Sequence, residues 1–419
     1  MKVLWFSHFL PYPPKGGALQ RSHNLLRQIA GRHEVHLVSL NQGKNLPTRA
    51  AFEEATGFLK GICKGVDVFP IPSEAAKWRW AAMTMASYVR SSPYDVNWLM
   101  NRDMANFLDR LSKTETFDLV HVDTIGLYPY VAPFSGTPIV LTHNNIESHM
   151  MRRRFENETN GLYKIYFLRE SSKIRRYEMD VCSKCALNLV VSDLDGSRLK
   201  ESAGNVRIAV IPNGVDIEYF QSRKQIGRGR EGLIFAGALD WYPNREAVRF
   251  FLKEIWPKLR EEKPERPVTF VGRNPPRELL DAAKNSSIRV PGFVDDVRPY
   301  LDDAEIYICP IRDGGGTRLK ILDALAMGKP LVATGMAVEG LDLLEEVHYL
   351  KAETAAEFLF QINRLESDSD LCLAVATAGQ RFVKEHYSWD VIGEKIAHAY
   401  QEIVRLKETG MSRTPKTKM

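Results

Sequence analysis

The chain has 419 residues, 44% of them hydrophobic, more than one hydrophobic core usually organises, so two domains large enough to fold alone are predicted. The net charge is +5, three of those charges lie in the polar tail at Arg413, Lys416 and Lys418, and bulk charge therefore argues against nucleic acid as a partner. Five scattered cysteines exclude a disulfide scaffold, no apolar run reaches the roughly 20 residues that span a bilayer, and the stretch from Met1 to His8 lacks a signal-peptide core; a reducing cytoplasm is the expected home, with any membrane contact peripheral and at the inner face.

Short apolar runs bounded by glycine or proline alternate with helical patterns, the signature of parallel sheets wrapped by helices. Val3 to Ser7 opens the series, and Pro11-Tyr-Pro-Pro-Lys-Gly-Gly17 separates it from a helix over Ala18 to Ala30. Gly16 and Gly17 thus fall at the carboxyl end of the first strand, where open parallel sheets take ligands, although a mere turn would read the same. Glu34 to Ser39 is the next predicted strand. Lys77-Trp-Arg-Trp80 then leads into an apolar stretch, Ala81 to Val89, and Met150 to Arg154 ends in three arginines. Interleaved tryptophans and cations suit a membrane surface; a helix packed on its own domain with solvated arginines is the plainer reading.

Strands follow at Leu119 to Val122, Ile139 to Thr142, Leu187 to Val191 and Ile208 to Ile211. His143 ends the second of these and begins the polar run His143-Asn-Asn-Ile-Glu147, which places an imidazole at the strand edge shared with Gly16 and Gly17. Cys182-Ser-Lys-Cys185 has redox or zinc spacing without a second pair, and reads as structural. Ile211-Pro-Asn-Gly-Val-Asp216 is a turn, and the domain boundary is placed there, with residues 1–215 in the first domain and 216–388 in the second. Gly227-Arg-Gly-Arg-Glu-Gly232 matches the dinucleotide fingerprint, yet it precedes a strand instead of following one and reads as a connector.

The pattern then restarts with Leu233 to Ala236, Val268 to Val271, Ile288 to Val290, Ile306 to Pro310 and Leu331 to Thr334, and with helices such as Asn244 to Leu259. The predicted class is α/β, two doubly wound Rossmann-like domains facing each other across a cleft. Asp313-Gly-Gly-Gly-Thr-Arg-Leu-Lys-Ile-Leu-Asp323 follows the strand Ile306 to Pro310 and opens an amphipathic helix that stops at Gly328. Three glycines let backbone pass close to a ligand, and the free amides and positive dipole end of the helix suit a phosphate. Arg318 and Lys320 add cations and Asp323 a carboxylate, which together suggest a nucleotide. Helical patterns at Asp370 to Glu385 and Trp389 to Lys407 precede a tail, 408–419, without apolar period.

Six motifs in order, Gly16-Gly17, Leu141-Thr-His-Asn144, Val210-Ile-Pro-Asn-Gly-Val-Asp216, Phe235-Ala-Gly237, Gly292-Phe-Val294 and Gly314 to Pro330, make the chain resemble the family 4 retaining glycosyltransferases, which have the glycosyltransferase B fold. The resemblance implies a nucleotide-sugar donor, UDP- or GDP-linked, held mainly by the second domain, and a saccharide or lipid-linked acceptor held mainly by the first. It also implies transfer with retention at the cleft, in bacterial polysaccharide or glycoconjugate synthesis, with no metal or other cofactor and with residues 389–407 crossing back to the first domain. Gly16 and Gly17 would approach the donor, and His143 would hydrogen-bond a sugar hydroxyl. Gly237 joins the donor set. Phe293 and Val294 would read the base through backbone, Gly314, Gly315, Gly316, Thr317, Arg318 and Leu319 would meet the diphosphate, and Asp323 would hold the ribose.

Three departures from the family stand out. Gly315 occupies the place of the first motif acid, and Asp313, two residues upstream, is its candidate substitute, catalytic together with His143. Asp323 is one methylene shorter than the usual glutamate. Ala238 and Asn244 replace an arginine and a lysine, so the nominated cations are Arg318, Lys320 and Arg273. A catalytically silent nucleotide-sugar-binding subunit and a nucleotide-sugar epimerase of the same fold are the alternatives.

Overall fold

The computed structural model describes residues 1–14, 16–43, 45–223, 231–284, 286–314 and 316–409. Contacts divide these residues into two units, one formed by Met1–Pro212 with the chain from Ile392 onward, the other by Asn213–Val391. Residues 227–230 of the Gly227–Gly232 segment, and Gly315, lie outside the described residues, as does the tail beyond 409.

The first unit holds seven strands: β1 (Lys2–Ser7), β2 (Glu34–Asn41), β3 (Gly65–Pro70), β4 (Leu119–Val122), β5 (Ile139–Thr142), β6 (Leu187–Val190) and β7 (Ile208–Val210). They form one sheet in the order β3-β2-β1-β4-β5-β6-β7, every neighbouring pair parallel. β4, β5 and β6 are buried at every residue, the reason they read as continuous apolar runs: a parallel sheet is covered on both faces. β3 escaped the sequence reading. It is a half-buried edge strand that opens on Gly65 and ends on Pro70, residues that weaken a strand pattern. From Ile392 onward the helix Trp389–Glu408 packs on this unit, where the Tyr400 hydroxyl meets His121 Nδ1 at 2.6 Å and Gly393 abuts Gln28.

The second unit repeats the winding with β8 (Leu233–Ala236), β9 (Val268–Val271), β10 (Ile288–Gly292), β11 (Ile306–Cys309), β12 (Leu331–Ala333) and β13 (Leu350–Lys351), in the order β10-β9-β8-β11-β12-β13, again all parallel. The predicted helix Asn244 to Leu259 begins earlier, at Tyr242, and widens into a π turn over Phe251–Ile255 before Trp256–Glu262. Pro257 has no amide to offer the preceding turn, and the wider turn accommodates it. The helix Leu319–Ala326 ends where Gly328 adopts φ +63, its amide bonding to Leu325 O and that of Lys329 to Ala324 O, a Schellman closure. No described helix is long and apolar enough to cross a membrane.

Candidate functional site

In the second unit the site is built at the carboxyl ends of β8 and β11. β11 is buried throughout and delivers the chain to Asp313, whose Oδ1 accepts the Gly314 amide at 2.6 Å. Gly314 at φ +110 and Gly316 at φ +73 occupy the left-handed region that favours glycine, and a Cβ on Gly314 would lie 2.9 Å from Pro243 Cγ. Arg318 donates to the Gly316 carbonyl and folds the loop on itself. Thr317 Oγ1 accepts from Asn213 Nδ2 at 2.6 Å, so the Ile-Pro-Asn-Gly turn braces the helix start. That helix begins without a side-chain cap and without an acid in its first turn. Its first amides and positive dipole end are therefore uncompensated by side chains.

Lys320 lies beside Asn244. Its Nζ donates to Asn244 Oδ1 at 2.6 Å and lies 4.4 Å from the Phe235 ring centre, while Asn244 Nδ2 donates to Ala238 O at 2.7 Å. Asn244 thus holds a lysine delivered from the other helix. Gly237, at φ +151, leaves room for it: a Cβ there would stand 2.4 Å from Lys320 Nζ. Burial, with the Arg318 charge opposing ionisation and Cys309 favouring it, pushes the Lys320 amine down to about 8. Asp323, one turn on, is partly buried; its Oδ1 is enclosed and receives no hydrogen bond. Burial drives its carboxyl up to about 8 against the pull of Lys320.

The remaining predicted donor residues are more dispersed. Arg273 is exposed and its Nε lies 3.5 Å from Asp240 Oδ1, a surface ion pair. Phe293, just beyond β10, is 63% exposed, and Val294 packs partly against the unit's core. Asp313 is partly exposed and serves the loop's own backbone.

In the first unit Gly16, at φ +104, opens the helix Gly17–Ala30 with its carbonyl taking the Gln20 amide; both glycines are exposed and no atom would meet a Cβ on Gly16. His143 directly follows β5 and is 3% exposed. Its Nε2 lies 3.2 Å from Asn188 Oδ1, and Asn188 Nδ2 donates to the Cys182 and Arg207 carbonyls. With the amide oriented by those carbonyls, its oxygen must face the imidazole, so Nε2 carries the proton and Nδ1 is the acceptor. Burial pushes this imidazole down to about 4, leaving it neutral at neutral pH. The helix after the His143 loop, Glu147–Asn157, is capped from outside by buried Glu178, which accepts from the Ser148 amide at 3.1 Å and from its hydroxyl. Cys182 and Cys185 are buried free thiols whose pKa burial raises.

Asn188 in the first unit, and Asn213 and Asn244 in the second, each fix polar geometry within their own unit, a task that their place in the sequence did not announce. A polar residue inside the apolar strand Leu187–Val190 was the one available signal for Asn188.

The fold defines a class, two doubly wound parallel α/β units with a glycine loop and an uncapped helix at the strand ends of the second. Residues 15–219 match the family described as Glycosyltransferase Family 4, and residues 230–368 match the family described as Glycosyl transferases group 1. The chain belongs to the family 4 glycosyltransferases of the glycosyltransferase B fold. It is similar to the phosphatidyl-myo-inositol mannosyltransferase of Mycobacterium leprae, 27% identical over 224 residues that take in 51% of this chain and 59% of that protein. Among solved structures it is similar to HepE of Anabaena in complex with UDP, with TM-score 0.67 at 14% identity over 96% of this chain and 100% of that one. The sucrose-phosphate synthase of Thermosynechococcus elongatus shares the fold at TM-score 0.65 and 12% identity, over 97% and 100% of the two chains.

Proposed function

We propose that this glycosyltransferase moves a hexose from a UDP- or GDP-linked donor to a saccharide or lipid-linked acceptor, with retention of anomeric configuration and without a metal ion. The second unit holds the donor, and the first supplies His143 and the acceptor surface. The observation that carries the reading is the start of the Leu319–Ala326 helix, where an uncapped N-terminus, two left-handed glycines, Arg318 and Lys320 occur together. The UDP of the HepE complex and the mannosyltransferase activity named for the mycobacterial relative support a nucleotide-linked hexose, and the phosphatidyl-myo-inositol of that relative's name supports a lipid-linked acceptor.

As the C1–O bond to the diphosphate breaks, negative charge grows on the departing phosphate. Fixed amides and cations stabilise it where it forms, the role a divalent ion would otherwise fill. Lys320, whose charged form burial disfavours, is held in that form beside the diphosphate. The acceptor oxygen forms its bond to C1 on the same face, and its proton passes to the departing phosphate oxygen. His143, neutral and protonated at Nε2, accepts a sugar hydroxyl at Nδ1. Asp323 takes the ribose hydroxyls.

The test incubates the protein with several nucleotide sugars and candidate acceptors, follows nucleotide release, and reads the anomeric configuration of the product by NMR, with and without a chelator. Inverted product would remove retention, and loss of activity with chelator would remove metal independence. Tight donor binding without transfer to any acceptor would favour the silent-subunit alternative.

A further inference from the structure

The surface of the first unit carries a feature that sugar transfer does not use. The helix Lys77–Val89 fully buries only Ser87, although most of its residues are apolar. Trp78 is 68% exposed, Trp80 51%, and Met85 and Val89 75% each. The helix does pack on its own unit, Trp80 Nε1 donating to the Tyr94 hydroxyl at 3.1 Å, yet these side chains remain largely in water. A second run of exposed apolar side chains opens the helix Gly161–Cys182, where Leu162 is 81% exposed and Tyr163 and Ile165 60% each. The two helices touch, with the Arg169 guanidinium 4.9 Å from the Tyr88 ring centre and Lys173 Nζ donating to Ser87 O at 2.6 Å. Apolar side chains left uncovered by folding on two touching helices mark an interaction site.

Its charge decides the partner. Residues 77–90 carry Lys77, Arg79 and Arg90, residues 161–169 carry Lys164 and Arg169, and neither segment contains an aspartate or glutamate. The cations pack on rings instead: Arg79 over Trp78 at 5.3 Å, Lys164 over Phe155 at 5.3 Å and Arg169 over Tyr88. Indole and phenol rings settle at the headgroup level of a bilayer, and lysine and arginine reach from there to lipid phosphates.

We propose that the paired face of Lys77–Val89 and Gly161–Arg169 docks on a bilayer bearing anionic headgroups. Such a surface offers apolar cover and distributed negative charge together, which is what this face lacks within its own chain. The proposal deepens the reading of a lipid-linked acceptor, since docking would bring the first unit to the layer where that acceptor lies.

The full chain is to be sedimented with vesicles of phosphatidylcholine alone and of an equal mixture of phosphatidylcholine and phosphatidylglycerol. Binding is expected to the anionic vesicles, weaker to the neutral ones, and reduced by added salt. The double variant Trp78→Ala, Trp80→Ala should lower the partition coefficient by about tenfold or more, and Arg79→Glu by severalfold, most at low salt. Both tryptophans are exposed, so the thermal melt should stay at the wild-type position and a lost signal then reports lost docking. Absence of wild-type binding to anionic vesicles, or unchanged binding in the double variant, would overturn the proposal. So would a dimer that the double variant dissolves while vesicles go unbound, which makes the face a self-association surface. Nucleotide release with a soluble acceptor, measured in parallel, separates the outcomes: transfer without vesicle binding sinks docking alone, and vesicle binding without transfer sinks the transferase reading alone.

Discussion

Replacing Lys320 by methionine keeps an unbranched apolar stem of similar length and removes the ammonium. In the free protein, burial pushes that amine from 10.5 to about 8, so holding it charged costs about 3 kcal/mol. Methionine carries no such cost, and the Tm of Lys320→Met without nucleotide is expected to hold or rise. The bound diphosphate reverses the balance. A hydrogen bond to a charged group contributes about 1.5–3 kcal/mol, so the Kd for UDP should weaken roughly 10- to 150-fold. Titration calorimetry with UDP and with uridine reads the effect, and uridine, lacking phosphate, should bind the two proteins alike. pH gives a second reading. The free amine loses its proton as pH rises through about 8, whereas in the complex it is held, so wild-type affinity for UDP should decline above that pH and Lys320→Met should lack the slope. A variant that binds UDP like wild type, or that loses uridine equally, refutes the assignment.

Other expectations follow the same logic. The Asp323 carboxyl is raised from 3.8 to about 8, so the folded state holds that proton more tightly than the unfolded state does, and the group's contribution to stability falls as pH rises through this window. Asp323→Asn should therefore exceed wild type in urea midpoint by a margin that grows with pH across it, while Asp323→Ala weakens nucleotide affinity; equal margins at both ends of the window, or undiminished affinity, would contradict the two parts. A Cβ on Gly272 would stand 1.7 Å from Gly237 O at φ +156, backbone against backbone, so Gly272→Ala should lose about 3 kcal/mol or more in chemical denaturation, and a loss near zero would show that the β8 and β9 loops can part. Burial pushes His143 down to about 4, so its titration should leave no limb in the kcat profile near neutral pH, and His143→Ala should lower kcat with nucleotide Kd unchanged. A near-neutral limb that vanishes in this variant would show the imidazole working as a titrating base. Asn213→Ala deletes the 2.6 Å bond to Thr317 and should weaken UDP binding by about 1 kcal/mol, with an unchanged Kd arguing that the turn does not brace the loop.

Most of the architecture was legible because doubly buried parallel strands advertise themselves as uninterrupted apolar runs between glycine and proline. β3 and β13 were not: one is a half-buried edge strand and the other two residues long, too little for periodicity to register. In the site, the glycine loop and helix start could be read because their backbone demands particular residues. The asparagine braces could not, since a single polar residue declares its partner only once distant segments meet, as Asn213 meets Thr317 across 104 positions. The departure at Asn244 looked like a missing charge, and only the fold reveals that it receives Lys320. Exposure of Trp78 and Trp80 was equally hidden, because a buried and an exposed apolar helix carry the same letters.

The helix start at Leu319 is the proposed seat of a pyrophosphate. A crystal structure of the chain with UDP tests this most directly: the diphosphate should lie on the amides from Gly316 to Lys320, with Lys320 Nζ turned from Asn244 onto a phosphate oxygen. UDP bound elsewhere, with that loop empty and Lys320 still on Asn244, would contradict it.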